Sequence, residues 1–208
     1  MVFMKIFDKI ESLLDQDSLF TEEAMDEVIS YCEKEYPHDD WKKIRKINFE
    51  KDKTRIEHWL KSVLKNEPIS KDVNGLWFGI YNPVYEYAGD KETSCDFYIC
   101  GNPDFDKNEI GWACSPKYFP VKRYSNSKIL DSIYKKAYSG KNGLGNLAEY
   151  PLCLAYTAFI IKELIRYIPK SHFLKFQDEI GILVGFDSGD FLYIGSISKE
   201  NGLKREKI

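Results

Sequence analysis

140-GKNGLGNLAEYPLCLAYTAFIIKELIRYI-168 divides into a glycine-rich turn and a long apolar run. Gly143-x-Gly145-x-x-Ala148 has the spacing of a dinucleotide-binding turn. Such a turn needs a strand before it and a helix after it, so that backbone N–H groups meet the pyrophosphate. Here the preceding segment, Ser127 to Tyr138, reads as a helix, with Ile129, Leu130, Ile133, Tyr134 and Ala137 on one face. The Walker order is also absent, because Lys141 precedes the glycines. The glycines are therefore expected to make a sharp helix–helix connection. Asn146 is placed to cap the second helix, with Glu149 as reciprocal partner. Pro151 strains that cap, since a proline inside a helix loses a backbone bond. A start at Tyr150, with Pro151 in the first turn, is the alternative. The run to Ile168 is apolar nearly all round at its start, which predicts a central helix packed across a sheet.

Working outward, residues 3 to 14 place Phe3, Ile6, Phe7, Ile10, Leu13 and Leu14 at helical spacing. Thr21 reads as the N-cap of a second helix, with Glu22 and Glu23 in its first turn and a Phe20–Met25 staple. Residues 40 to 66 carry one or two more helices, with Ile56, Trp59, Leu60, Val63 and Leu64 as the clearer stripe. The pattern then changes. 75-GLWFGIY-81 and 95-CDFYICG-101 read as strands, Val84 to Tyr87 as a short extra one, and 102–124 as a long ordered loop. 180-IGILVGF-186 and 191-FLYIGSI-197 flank a turn-rich loop and predict a hairpin. The result is α+β: N-terminal helices, a mainly antiparallel sheet, a central apolar helix on it and a C-terminal β-hairpin. At 208 residues this reads as a single domain, with a helical part (1–70) and a sheet-plus-helices part (71–208). Gly79, Gly181, Gly185 and Gly195 fall inside strands, to admit the helix closely or to mark bulges.

A net charge of -3 gives no basic excess for nucleic acid. The longest apolar stretch, Pro151 to Ile161, is about half the roughly 20 residues a membrane span needs, and MVFMKIFDKIESLLDQ lacks the build of a signal peptide. The expectation is a soluble, cytoplasmic protein. Five cysteines without a CxxC pair read as free thiols. Cys95 and Cys100, an odd number apart, should face opposite ways.

Catalytic spacing is sparse. His38, His58 and His172 form no metal motif. 104-DFDKNEIGWACS-115 begins like a calcium loop, but Glu109 stands where glycine is needed and Ser115 where a bidentate glutamate is needed. No metal or cofactor is expected. Cys114, paired with a distant His172, or the loop carboxylates Glu86, Asp90, Glu149 and Asp187, would be required for a hydrolase or transferase. A small-ligand or adaptor module is the third possibility.

The strongest anomaly is charge segregation. Asp8 to Asp40 holds 12 acidic residues against Lys9 and Lys34; Trp41 to Lys65 holds 9 basic against 3 acidic. The two segments either pair across neighbouring helices or offer an acidic face to a basic protein. The second option makes Glu22, Glu23, Asp26, Glu27, Asp39 and Asp40 candidate partner contacts. Trp112, Tyr118 and Phe119 of the aromatic loop are a second set. Finally, 75-GLWFGIYNP-83, 112-WACSPKYFP-120 and 127-SKILDSIYKKAYSGKNGLGNLAEYPLCLAY-156 resemble the cytoplasmic immunity proteins that accompany polymorphic or contact-delivered bacterial toxins. The resemblance covers about residues 75–197 and brings no catalytic motif with it. It implies a non-catalytic protein that neutralises a cognate toxin by protein–protein contact, through acidic or aromatic residues.

Overall fold

The computed structural model describes residues 2–87, 90–187 and 189–206; nothing is stated of the side chains of Val2, Phe3, Tyr87 and Asp90, so the Phe3 position expected in the first apolar stripe lies outside the description. The helical part comprises α1 (Val2–Leu14), α2 (Thr21–Glu35), a single turn α3 (Trp41–Ile44), a 3-10 turn at Phe49–Asp52 and α4 (Lys53–Asn66). Next come β1 (Gly75–Tyr81), β2 (Val84–Tyr87), β3 (Asp90–Thr93) and β4 (Asp96–Asn102). After a 3-10 turn at Gly111–Cys114 follow α5 (Lys128–Ala137), α6 (Asn146–Tyr167), β5 (Glu179–Phe186), β6 (Phe191–Ser198) and β7 (Gly202–Lys204).

The protein is α+β. Five strands form one sheet in the order β4-β1-β5-β6-β7, and β2-β3 make a separate ribbon. Every ladder is antiparallel except the central β1–β5 pair. That parallel pair needs a long crossover, and α5 and α6 lie within it.

α6 is the hub. Every residue from Pro151 to Ile165 is buried. One side rests on β1, β5 and β6; α1, α2 and α5 cover the rest. Apolar side chains from Ile6 to Ile197 join in one continuous core. Burying a Leu, Ile or Phe is worth about 1.5–3 kcal/mol each, so the helix tolerates Pro151 in its interior. Neither start expected from the sequence holds. The helix begins at Asn146 and its N-cap is Gly145, whose φ of 54° suits glycine. Gly143 is equally required, because a Cβ there would collide with the Ala137 carbonyl. Glu149 turns away from the cap to accept hydrogen bonds from Asn82 (2.9 Å) and the Tyr138 hydroxyl (2.9 Å).

Two charged residues inside α6 tie down the N-terminal helices. Lys162 donates to the carbonyls of Leu14 (2.5 Å) and Gln16 (2.9 Å), which satisfies acceptors at the end of α1. Glu163 accepts from the Thr21 amide (3.0 Å) and hydroxyl (2.5 Å) at the start of α2, and pairs with Lys53. Thr21 is thus the first residue of α2 rather than its cap, and the expected Phe20–Met25 staple does not form, since Phe20 is exposed while Met25 is buried. Asp52 does similar work at α5. Its carboxylate accepts from the Lys128 (2.6 Å) and Ile129 (3.2 Å) amides and the Ser127 hydroxyl (3.0 Å), and pairs with Arg55 (2.8 Å).

These buried charges set the pH response. Burial would raise the Asp52 and Glu163 pKa values. The Arg55 and Lys53 partners and the hydrogen bonds from α5 and Thr21 outweigh it, and both carboxyls stay below the usual range. A depressed folded pKa gives stability that is present above the unfolded value, about 4, and is lost as pH falls through the folded value. The urea midpoint should therefore drop steeply on acidification, and Asp52→Asn should flatten that slope; an unchanged slope would remove Asp52 from the account. Lys162 is shifted the other way: burial, then the nearby Arg166, pushes its pKa down to about 8.

Candidate functional site

Residues on β1 alternate between two environments. Leu76, Phe78 and Ile80 join the main core beneath α6. Gly75, Trp77, Gly79 and Tyr81 face the other way. Gly75 pairs with Gly181 and Gly79 with Gly185, flanking Trp77 and Leu183 on this outer face. The strand glycines thus do not admit α6. They make a trough on the opposite face, with only Gly195 (φ 136°) marking a bulge.

The segment 102–124 fills the trough. The Phe105 ring lies flat over Gly75 and Gly181, and a Cβ at either would overlap it. Phe105 packs edge-on to Trp112 (centroids 5.5 Å apart), and the Trp112 indole donates to the carbonyls of Asp106 and Glu109 (3.0 and 2.9 Å). Gly101 and Tyr118 exchange two backbone hydrogen bonds of 2.9 Å, and the Tyr118 hydroxyl donates to the Glu67 carbonyl. The structure therefore places two of the three aromatic candidates inside the fold: Trp112 and Tyr118 are each only 6 % exposed. Phe119, at 50 %, reaches solvent.

Beside Phe119 opens a cleft of about 220 Å³, lined among others by Trp77, Tyr98, Ile110, Cys114, Phe119 and Asp187. Asp187 comes from the first residue after β5, and its Oδ1 accepts from the Tyr98 hydroxyl at 2.9 Å. Asp187 is exposed to solvent, and partial desolvation of its carboxyl beside these rings raises its pKa; hydrogen bonds from Tyr98 and the Trp77 indole pull less strongly the other way. The same surroundings push the Cys100 thiol up to about 12, through burial and then the Asp187 charge. Asp187 has no ion pair among the described residues.

An aromatic surface continues from the cleft. The Tyr81, Tyr98 and Tyr124 rings meet with centroids 5.4–6.1 Å apart. Arg123 lays its guanidinium over Phe119 (3.8 Å) and Tyr124 (4.5 Å). Tyr124, Phe119, Tyr85 and Val121 are all exposed. A buried Trp77 with half-buried Tyr81, Tyr98 and Arg123 and exposed aromatic neighbours has the residue types enriched at energetic centres of protein interfaces. Trp77, Tyr98, Arg123 and Tyr124 escaped the sequence reading. The parity of β1, with glycines sharing the Trp77 face, was the available signal.

The acidic set lies elsewhere. Its residues on α2 point away from α6, which separates them from the sheet and the cleft. Part of the charge segregation resolves into pairs: Glu27–Lys9 (2.9 Å), Asp39–Lys42 (2.8 Å), Asp40–Lys43 (2.7 Å) and, between α2 and α3, Glu33–Arg45 (2.7 Å). Glu22, Glu23 and Asp26 stay exposed, without an ion pair among the described residues.

The remaining candidates have plain structural roles or none. Cys114 is exposed at the cleft, but no histidine is among the residues lining it. Asp106 and Glu109 of the calcium-like loop accept from the Asn108 and Gly111 amides, closing local turns. No group of metal-ligating side chains occurs among the described residues. Glu86 is exposed, and the Asp90 side chain lies outside the description. The glycine turn borders a groove of about 440 Å³ at the start of α6, where Asp8 and Asp190 would repel a phosphate. All five cysteines are free, with Cys95 and Cys100 on opposite faces of the sheet. No helix among the described residues is long and apolar enough to cross a membrane. No protein-family model, curated protein or solved structure matches the chain.

Proposed function

We propose that this protein is a non-catalytic binder that neutralises a cognate protein toxin by direct contact in the cytoplasm. The observation that carries this proposal is the exposed aromatic surface around Arg123, continuous with a cleft whose carboxylate has no ion pair among the described residues. The resemblance to toxin-immunity proteins supplies the identity of the partner class. The two candidate surfaces have different tasks. The aromatic surface makes the contact. The unpaired carboxylates of α2 act at long range, attracting a basic partner before contact.

This division predicts separable kinetics. Charge reversal at Glu22, Glu23 and Asp26 should slow association by about tenfold at low salt and flatten its salt dependence, leaving dissociation unchanged. Tyr124→Ala should instead speed dissociation about 30-fold, the equivalent of roughly 2 kcal/mol at an interface centre. Surface plasmon resonance against the small protein encoded beside this one reads both rates. If neither set changes either rate, the surface assignment is wrong; if the neighbouring protein does not bind at all, the function is wrong.

A second possibility, acyl or group transfer at Cys114, rests on the thiol sharing the cleft with Asp187. Selective alkylation of Cys114 near neutral pH would favour it, because a nucleophilic thiol must ionise readily.

A further inference from the structure

We propose that the Asp187 cleft receives one arginine side chain of the protein partner, its guanidinium paired with the carboxylate and stacked on the neighbouring rings. This inference rests on the binding function proposed above and names the chemistry at its centre.

Three observations converge. First, Asp187 is an exposed carboxylate in the lining of the cleft, with no ion pair among the described residues. Asp52 and Glu163 each have a cation, Arg55 and Lys53. Asp96 and Glu149 have no ion pair among the described residues, but Asp96 accepts from Ser125, Asn126 and Ser127, and Glu149 from Asn82 and Tyr138. Asp187 has the Tyr98 hydroxyl and the Trp77 indole, and no cation among the described residues. A carboxylate beside aromatic rings, with no counter-charge of its own, offers an incoming cation a partner, and the contact strengthens as binding excludes water. One hydrogen bond does not exhaust its acceptor sites, so a guanidinium fork still finds room.

Second, the size selects a side chain. Pockets for drug-sized molecules or cofactors span about 300–1,000 Å³, whereas this cleft holds about 220 Å³ and is open to solvent at Phe119. Third, the same surface already stacks a guanidinium, that of Arg123, between Phe119 and Tyr124. Arg123 does not fill the cleft role itself. It donates to the Pro120 carbonyl (3.2 Å) and the Tyr124 hydroxyl (3.0 Å) and makes no ion pair with Asp187. Arginine fits better than lysine, because its planar group both forks onto a carboxylate and stacks on rings.

The test uses the full chain and three small probes: N-acetyl-arginine methylamide, its lysine counterpart and the neutral norleucine compound. The reporter is the Trp77 indole N–H resonance, identified by its loss in Trp77→Phe. The Trp41 indole, which donates to the Tyr36 carbonyl, is the internal control. The arginine probe should shift the Trp77 signal saturably in the millimolar range, the lysine probe more weakly and norleucine hardly at all. Asp187→Asn should weaken the arginine probe about tenfold, the worth of a charged hydrogen-bonded contact. Phe119→Ala, at a half-exposed site, should weaken it several-fold with the Trp41 signal unchanged. No saturable shift, an equal response to norleucine, or an unchanged affinity in Asp187→Asn with an undisturbed Trp41 signal would overturn the inference. A toxin bound at full strength by Asp187→Asn would also overturn it, while leaving the neutralising function standing.

Discussion

Replacing Glu163 by alanine is expected to lower the unfolding free energy by about 3–5 kcal/mol, the usual cost of removing one partner from a buried ion pair. Glu163 is 3 % exposed, so water cannot replace what is lost. The change leaves the Thr21 amide and hydroxyl without an acceptor and Lys53 without its buried partner. Lys53 keeps Glu50 at 3.2 Å, which offsets part of the loss. A double-mutant cycle with Lys53→Met separates the terms. Removing both charges should recover part of the loss, since an unpaired buried charge costs more than an absent pair. Urea unfolding of the four proteins gives the result. A loss below about 1 kcal/mol for Glu163→Ala would mean that α2 is held by packing alone.

Trp112→Ala is expected to cost about 3–5 kcal/mol locally, as for other buried tryptophans. The indole fills the trough beside Phe105 and carries two hydrogen bonds to its own loop. The loss should appear as faster hydrogen exchange at the Gly101, Lys117 and Tyr118 amides, which pin 102–124 to β4. Amides of α6 should keep their protection, because they belong to the other face. Gly181→Val tests the same contact from below by pushing the Phe105 ring off the strand. If α6 lost protection in step with the loop, the two faces of the sheet would form one cooperative unit instead of two.

The sequence was most legible where periodicity is strong. The stripes of α1, α2, α4 and α5, the hairpin and the central apolar helix all follow from spacing and composition. It was least legible where one signal serves two purposes. Glycine in a strand signals close approach but not from which side, and the bulky residues at Leu76, Phe78 and Ile80 already occupied the α6 side. Trp112 and Tyr118 sit in a loop, which suggests exposure, yet the glycine trough needs large rings to fill it. The sequence offered Asn146 as the cap or Tyr150 as the start, and the positive φ before Asn146 gave the cap to Gly145 instead. Lys162 and Glu163 are adjacent charges in a buried run, and their partners lie 110 to 148 residues away in the chain. The cleft draws Cys114 and Phe119 of one loop together with Asp187 from the end of β5. Only the sheet register brings Trp77 and Tyr98 to them.

That same separation has a consequence during synthesis. α1 and α2 are made before α6, and the α6 surface that covers them and the two charges that hold their ends come 142–148 residues later. At typical translation speeds of about 5–20 residues per second, the two helices wait roughly 7–30 s on the ribosome with their apolar stripes unshielded. The exposed carboxylates of α2 give that waiting segment a net negative charge, and like-charged segments repel one another.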